Sequence, residues 1–287
     1  MEYQNRVEPF TSKFAEEMLN PLLDTDNTDG NKQRRHKLLD VGCGTGAVSL
    51  IAVSKGLEVA VTDASEAMVE RTKQRVEAAT RGRDEPGLLH GCAVAQGQDL
   101  PSEWSDSFDL AVANFSVIFF PQPVAGLREM LRCLVPGTGI ASLTAWGDAS
   151  ETPAFRVFPD VASRVVPELV DTGKPKRITG SVEALEGLME EAGFVDVRVV
   201  GPVAKTLEVE SPSDYYDRFA LTSPPTAAMI ARMGDAKRLA FREGVAEVAR
   251  ARGGRGDGSI ALDSAAYIAY GRKPAPATLP ANERTPS

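Results

Sequence analysis

Histidine, cysteine and tryptophan are nearly absent: the 287 residues include two histidines, three cysteines and two tryptophans. Cys43, Cys92 and Cys133 lie far apart, with no Cys-x-x-Cys pair and no histidine beside them, which argues against a zinc site and a disulfide framework. They read as reduced thiols, and a cytoplasmic location is expected. With only His36 and His90 available, a histidine-centred nucleophilic triad has little to draw on, and both read as surface or edge residues. The N-terminal MEYQNRVEPF lacks the basic start and apolar run of a secretion signal. The longest apolar run, 109–121, is interrupted and falls short of the roughly 20 residues a bilayer helix needs, so no membrane insertion is expected. Positive charge is also short: 32 Lys and Arg face 40 Asp and Glu, a net charge of −8. A long phosphate backbone would be repelled, and nucleic acid is not an expected partner.

What is present is a hydrophobic fraction of 43%, enough for a sizeable core, distributed in an alternating strand and helix pattern. Phe10, Phe14, Met18 and Leu22 recur every four residues and predict a helix over 10–23. Strands are predicted at 37–41, 57–62, 89–95, 108–113, 139–145, 194–200 and 262–272. Helices are predicted after the glycines at 42–46, at 66–79 behind Ser65, at 123–134, and at 181–192 ended by Gly193. Segment 212–251 reads as helical, broken at Pro224-Pro225. The alternation predicts a doubly wound α/β fold with a parallel sheet covered on both faces. In outline, 1–34 is expected to be a capping helix and loop, and 35–272 the main domain with a helical insertion at about 211–253. The Pro-rich 273–287 has the composition of a disordered tail.

The chemistry centres on Leu38-Leu39-Asp40-Val41-Gly42-Cys43-Gly44-Thr45-Gly46-Ala47. Glycines at a strand-to-helix turn let bare backbone approach a ligand, and G-x-G-x-x-A alone fits a nicotinamide or flavin dinucleotide. A carboxylate at Asp40, two residues before the first glycine, is the wrong charge beside a pyrophosphate and the right one beside an ammonium group. Asp63 closes the second strand, where a carboxylate can accept both hydroxyls of a ribose, or simply favour a helix start.

This pattern resembles the first motif of the class I S-adenosylmethionine-dependent methyltransferases, in the small-molecule branch. The acid-x-Gly-x-Gly-x-Gly signature falls on Asp40, Gly42, Gly44 and Gly46, with Cys43 between the glycines. The resemblance runs in order through QGQDLP, SFDLAVANFSVIFFPQP, LREMLRCLVPGTG and EEAGFVDVRVV, and more loosely to SAAYIAYGRK. It implies a Rossmann-like seven-stranded sheet, mostly parallel with an antiparallel last strand, and helical lid insertions. It implies S-adenosyl-L-methionine as cofactor, leaving S-adenosyl-L-homocysteine as product. Asp40 would meet the methionine amino group, Asp63 the ribose, and Ala64 and Met68 the adenine. The family's adenine-binding acid is displaced: Gln96 takes its place, next to Gly97, with Asp99 the nearest acid.

Asn114, at the end of the fourth strand, would lie near the methyl group and position an acceptor. Asn114-Phe115-Ser116-Val117 departs from the Asn-Pro-Pro-aromatic motif of enzymes that methylate exocyclic amino groups of bases or glutamine. Phe10, Phe14, Phe115, Phe119, Trp146, Tyr215 and Tyr216 fall in segments expected to cover the site and suggest an apolar pocket for a small organic acceptor, methylated on O or N. No metal is expected. Two other readings stay open at this level: an NAD(P)-dependent oxidoreductase and a non-catalytic S-adenosylmethionine-binding protein. Oligomeric state is not legible.

Overall fold

The computed structural model describes residues 6–23, 36–81, 88–170 and 180–276. After helix α1 (Glu8–Leu23) come β1 (Lys37–Val41), α2 (Ala47–Ser54), β2 (Glu58–Asp63), α3 (Glu66–Thr80) and β3 (Leu89–Val94). Then follow β4 (Leu110–Asn114), α4 (Pro123–Cys133), β5 (Ile140–Trp146), α5 (Pro153–Val165) and α6 (Val182–Ala192). The chain continues with β6 (Val195–Val209), α7 (Pro212–Thr222), α8 (Pro224–Ala231), α9 (Asp235–Gly253) and β7 (Ile260–Arg272).

The strands form one seven-stranded sheet in the order β3-β2-β1-β4-β5-β7-β6. Strands β1 to β5 pair in parallel, and β7 runs antiparallel between β5 and β6. The order reverses between β1 and β4, the point at which doubly wound sheets place ligands beyond the carboxyl ends of their strands. The near-continuous burial of β1, β2, β4 and β5 follows from helices on both faces. One core gathers α1, α2 and α3 residues such as Met18, Val48 and Val76; the other gathers α4 and α6 residues such as Leu127 and Leu185.

Local signals set most boundaries. Ser181 accepts a hydrogen bond from the Ala184 amide at the start of α6, and Gly193 ends it at a left-handed φ of 103°. The largest departure is β6, expected to stop at Val200. It runs to Val209 because the Gly201-Pro202 interruption is absorbed as a register shift against β7 between Val200 and Val203. Helix α5 has no counterpart among the helices expected from the sequence; Pro153 occupies its tolerated first position. The insertion breaks at Ser223 as expected and again before Asp235, where Gly234 caps α9. Phe108 is not part of β4; it forms an isolated bridge to Leu134.

Lys273, placed in the tail, is held in the fold: its amide donates to the Gly139 carbonyl (2.8 Å) and its Nζ to the Leu134 carbonyl (2.8 Å). The rest of the tail from residue 277 and the 24–35 loop lie outside the described residues. Among the described residues, no helix is long and apolar enough to cross a membrane.

Candidate functional site

The turn between β1 and α2 is built by three glycines in left-handed conformations, with φ of 72°, 55° and 92° at Gly42, Gly44 and Gly46. Two of them are required by the protein's own packing. A Cβ on Gly42 would sit 2.4 Å from Ser116 Cβ, and one on Gly46 would sit 2.9 Å from a Thr72 methyl. Ser116 Oγ donates to the Val41 carbonyl (2.6 Å), fastening the β4 loop onto the β1 turn. Gly44 alone meets nothing within 4 Å, so bare backbone faces open space there.

Two carboxyl groups flank that opening. Asp40 is buried, 1% exposed, and accepts a hydrogen bond from Ser49 Oγ (2.6 Å). Burial, with a smaller contribution from the Asp63 charge, pushes its pKa up to about 7 against the pull of Ser49. Asp63 is half-buried; its Oδ2 accepts from the Gly44 amide (3.0 Å) and its Oδ1 from the Ser65 amide (2.9 Å). Cys43 is buried beside them, and desolvation raises its thiol pKa, with the Asp40 charge adding to the shift. Burial and the raised pKa leave it with little thiolate character.

The loop is also clamped from outside. Thr72 Oγ1 donates to the Gly44 carbonyl (2.9 Å), and Arg75, one turn further along α3, donates to the Thr45 carbonyl. Arg75 grips Glu8 of α1 through both of its terminal nitrogens at 2.7 and 2.8 Å, and Thr45 Oγ1 donates to the same carboxylate. Neither Glu8 nor Arg75 stood out in the sequence. They are 67 residues apart, and no local pattern links them.

The expected adenine residues surround the next strand ends. Ala64 is exposed and Met68 half-buried, while Gln96 and Asp99 are exposed in one turn closed by the Asp99 amide on the Gln96 carbonyl (3.0 Å). Gly97 is a seat for Phe120: its Cβ would lie 2.2 Å from the ring, and one on Gly126 would lie 2.4 Å from it. Glu129 and Arg132 of α4 hold the following segment, Glu129 accepting from the Leu100 amide (3.0 Å) and Arg132 donating to the Leu100 carbonyl (3.0 Å). The Arg132 hydrogen bond keeps the Glu129 carboxyl below its ordinary range.

Beyond β4 and β5 stands an aromatic wall. Phe115 stacks on Trp146 with centroids 3.8 Å apart, Phe10 lies parallel to Trp146 at 5.8 Å, and Phe14 meets Phe115 and Trp146 edge-on at 5.3 and 5.2 Å. Phe155 of α5 joins at 4.6 Å from Trp146 and carries the wall to Phe219 of α7 at 5.6 Å. Phe115 adopts a left-handed φ of 58°, a strain of roughly 1–3 kcal/mol for a non-glycine residue. Its amide donates to Thr144 Oγ1 (2.8 Å), which donates on to Asn114 Oδ1 (2.8 Å).

Of the seven aromatics expected in the pocket, the structure brings four together: Phe10, Phe14, Phe115 and Trp146. Phe119 points outward at 65% exposure. Tyr215 and Tyr216 belong to a second cluster with Phe158 inside the helical insertion, where the Tyr215 hydroxyl donates to the Ala154 carbonyl; they pack the insertion rather than line a pocket. Asn114 is also corrected in part. Its amide nitrogen donates to the Thr11 carbonyl (3.4 Å) while its oxygen accepts from Thr144, so it joins β4 to α1 and β5. His36 and His90 lie near the starts of β1 and β3, at the opposite edge of the sheet, near Asp109 and Glu58.

A family model described as a methyltransferase domain matches residues 39–141, which span the glycine turn, Asp63, the Gln96 turn and β4. An uncharacterized protein of Mycobacterium tuberculosis is 26% identical over 203 residues, 69% of this chain and 68% of its own length. Methyltransferase tpcH of Aspergillus fumigatus is 31% identical over 148 residues, covering 49% of this chain and 50% of that protein. Among solved structures, an S-adenosylmethionine-dependent methyltransferase from Thermotoga maritima superposes with a TM-score of 0.50 at 17% identity, over 95% of this chain and 94% of that one. At that identity the superposition speaks for the fold.

Proposed function

We propose that this chain is a class I S-adenosylmethionine-dependent methyltransferase, a methyltransferase-domain model matching its residues 39–141, and that it methylates a small, largely apolar aromatic acceptor on oxygen or nitrogen. The observation that carries this reading is the juxtaposition at one sheet edge of two carboxyl groups flanking open backbone at Gly44 and an aromatic wall just beyond β4 and β5.

The donor set fits the cofactor. Asp40 and Asp63 would repel a pyrophosphate at this turn, whereas Asp40 can meet an ammonium group, directly or through water, and Asp63 a ribose diol. When bound, S-adenosylmethionine supplies an electrophilic methyl group on a sulfonium, whose transfer is an in-line displacement. The chain's own contribution is alignment and exclusion of water. Clamped by Thr72 and Arg75, the glycine loop fixes one partner. Trp146 and Phe155, the partly exposed members of the aromatic cluster, offer apolar faces to the other, backed by buried Phe10, Phe14 and Phe115. Asn114 acts through Thr144 and Thr11 as a positioning residue that holds the β4 end carrying Phe115. With both histidines at the far edge, the acceptor's proton is left to solvent.

The test is a turnover screen with methyl-labelled S-adenosylmethionine against neutral aromatic hydroxyl and amine compounds, with the labelled product identified by mass. Transfer to a flat apolar acceptor is the expected result. Transfer only to charged aliphatic acceptors would refute the acceptor assignment, and S-adenosylhomocysteine binding without transfer to any acceptor would favour a non-catalytic binding protein.

A further inference from the structure

Arg6, just before α1, and Glu8 and Phe10 in its first turn stand at alternate positions, and each reaches a different part of the site. Glu8 is 9% exposed and joined to the glycine loop through Thr45 and the two-pronged Arg75 contact. Arg6 points the other way, donating to Asp214 Oδ1 of α7 at 2.9 Å. Arg218, one turn further along α7, pairs with Asp214 at 3.5 Å and donates to the Arg6 carbonyl. Phe10 lies on Trp146 between these two ends. The backbone is stiff here, since the Phe10 and Thr11 amides both donate to the Val7 carbonyl.

Resting on the cofactor reading above, we propose that the Arg6–Glu8 segment is a strap that couples occupancy of the cofactor seat to the position of helix α7 over the acceptor wall. Separating Glu8 from Arg75 would leave a charge buried without its partner, so Glu8 follows any movement of the Thr45 loop. Arg6, two residues earlier in the chain, carries that movement to Asp214. Helix α7 carries Phe219, which touches the wall through Phe155. Helix α1 is buried along one face from Glu8 and Phe10 to Met18 and Leu19, so its first turn transmits a displacement as a rigid piece rather than bending. Settling of the loop on its cofactor therefore draws the lid helix onto the wall, and by linkage a seated acceptor slows cofactor release.

The test is amide hydrogen exchange of the full chain with and without saturating S-adenosylhomocysteine. In the wild type, exchange across α7 slows severalfold on binding. In Asp214→Asn the cofactor affinity stays within about twofold while the α7 response disappears. Glu8→Gln, which weakens the Arg75 end of the strap, also removes the α7 response. Asp217→Asn, which weakens a different ion pair of α7 with Arg242 (3.6 Å), keeps the response and shows that lid destabilisation alone does not remove it. A wild-type α7 that ignores bound S-adenosylhomocysteine overturns the coupling alone, as does an Asp214→Asn response equal to wild type or a response lost equally in Asp217→Asn. A wild-type chain that does not bind S-adenosylhomocysteine overturns the cofactor reading and the coupling with it.

Discussion

Replacing Asp40 by Asn should stabilise the folded protein while weakening its cofactor site, and the stabilisation should depend on pH in a defined direction. The carboxyl's folded pKa of about 7 lies above its ordinary 3.8, a difference of about 3 units. At 1.36 kcal/mol per unit this corresponds to an upper bound of about 4 kcal/mol. Between these two values the folded chain holds a proton that the unfolded chain has lost, so stability falls as pH rises through the window. The cost is absent below pH 3.8 and complete above about pH 7. Asn keeps an oxygen for Ser49 and carries no charge to desolvate. The variant should therefore match wild type near pH 4 and exceed it by about 2–4 kcal/mol at pH 8, a rise of roughly 5–10 °C in melting temperature. Urea and thermal unfolding at pH 4, 6 and 8 measure this. A stability difference that does not change with pH would refute the account of Asp40. S-adenosylhomocysteine should reverse the ranking, raising the wild-type melting temperature more than that of the variant.

Gly42→Ala, whose Cβ would fall 2.4 Å from Ser116 Cβ at a left-handed φ, should lose more than 2 kcal/mol, and Ser116→Gly in the same chain should recover part of that loss in urea unfolding. Gly97→Ala should destabilise through Phe120, 2.2 Å from the added atom, and Phe120→Ala should relieve the clash, so a double-mutant cycle with no coupling would contradict that packing. Trp146→Ala should cost about 3–5 kcal/mol by opening the aromatic wall and should impair acceptor binding more than S-adenosylhomocysteine binding, as separate titrations would show. Tyr215→Phe should leave affinity for both ligands unchanged and lower stability by about 1–3 kcal/mol, since its hydroxyl serves the Ala154 carbonyl inside the insertion.

What the sequence disclosed about this site is what short-range chemistry encodes. Asp40, the glycines and Asp63 are legible because a strand end, a tight turn and the next strand end follow one another closely, and the caps of α6 are legible for the same reason. The purpose of each glycine was not. Gly42, Gly46 and Gly97 also accommodate Ser116, Thr72 and Phe120, and those partners arrive from other elements. Long-range polar contacts were equally hidden: nothing near Glu8 indicates Arg75, and nothing near Asn114 indicates that Thr11 and Thr144 occupy both ends of its amide. Aromatic residues were easy to find and hard to sort, because burial within the insertion and exposure to a pocket follow the same helical spacing. Only the fold separates Trp146 from Tyr215.

The turn at Asp40 and Gly44 should seat an ammonium-bearing, phosphate-free cofactor. Calorimetric titration of the full chain with S-adenosylhomocysteine and, separately, with NAD tests it most directly. One equivalent of S-adenosylhomocysteine should bind, weakened at least tenfold by Asp63→Ala, with no heat from NAD. Saturable NAD binding, or no binding of S-adenosylhomocysteine, would contradict the account.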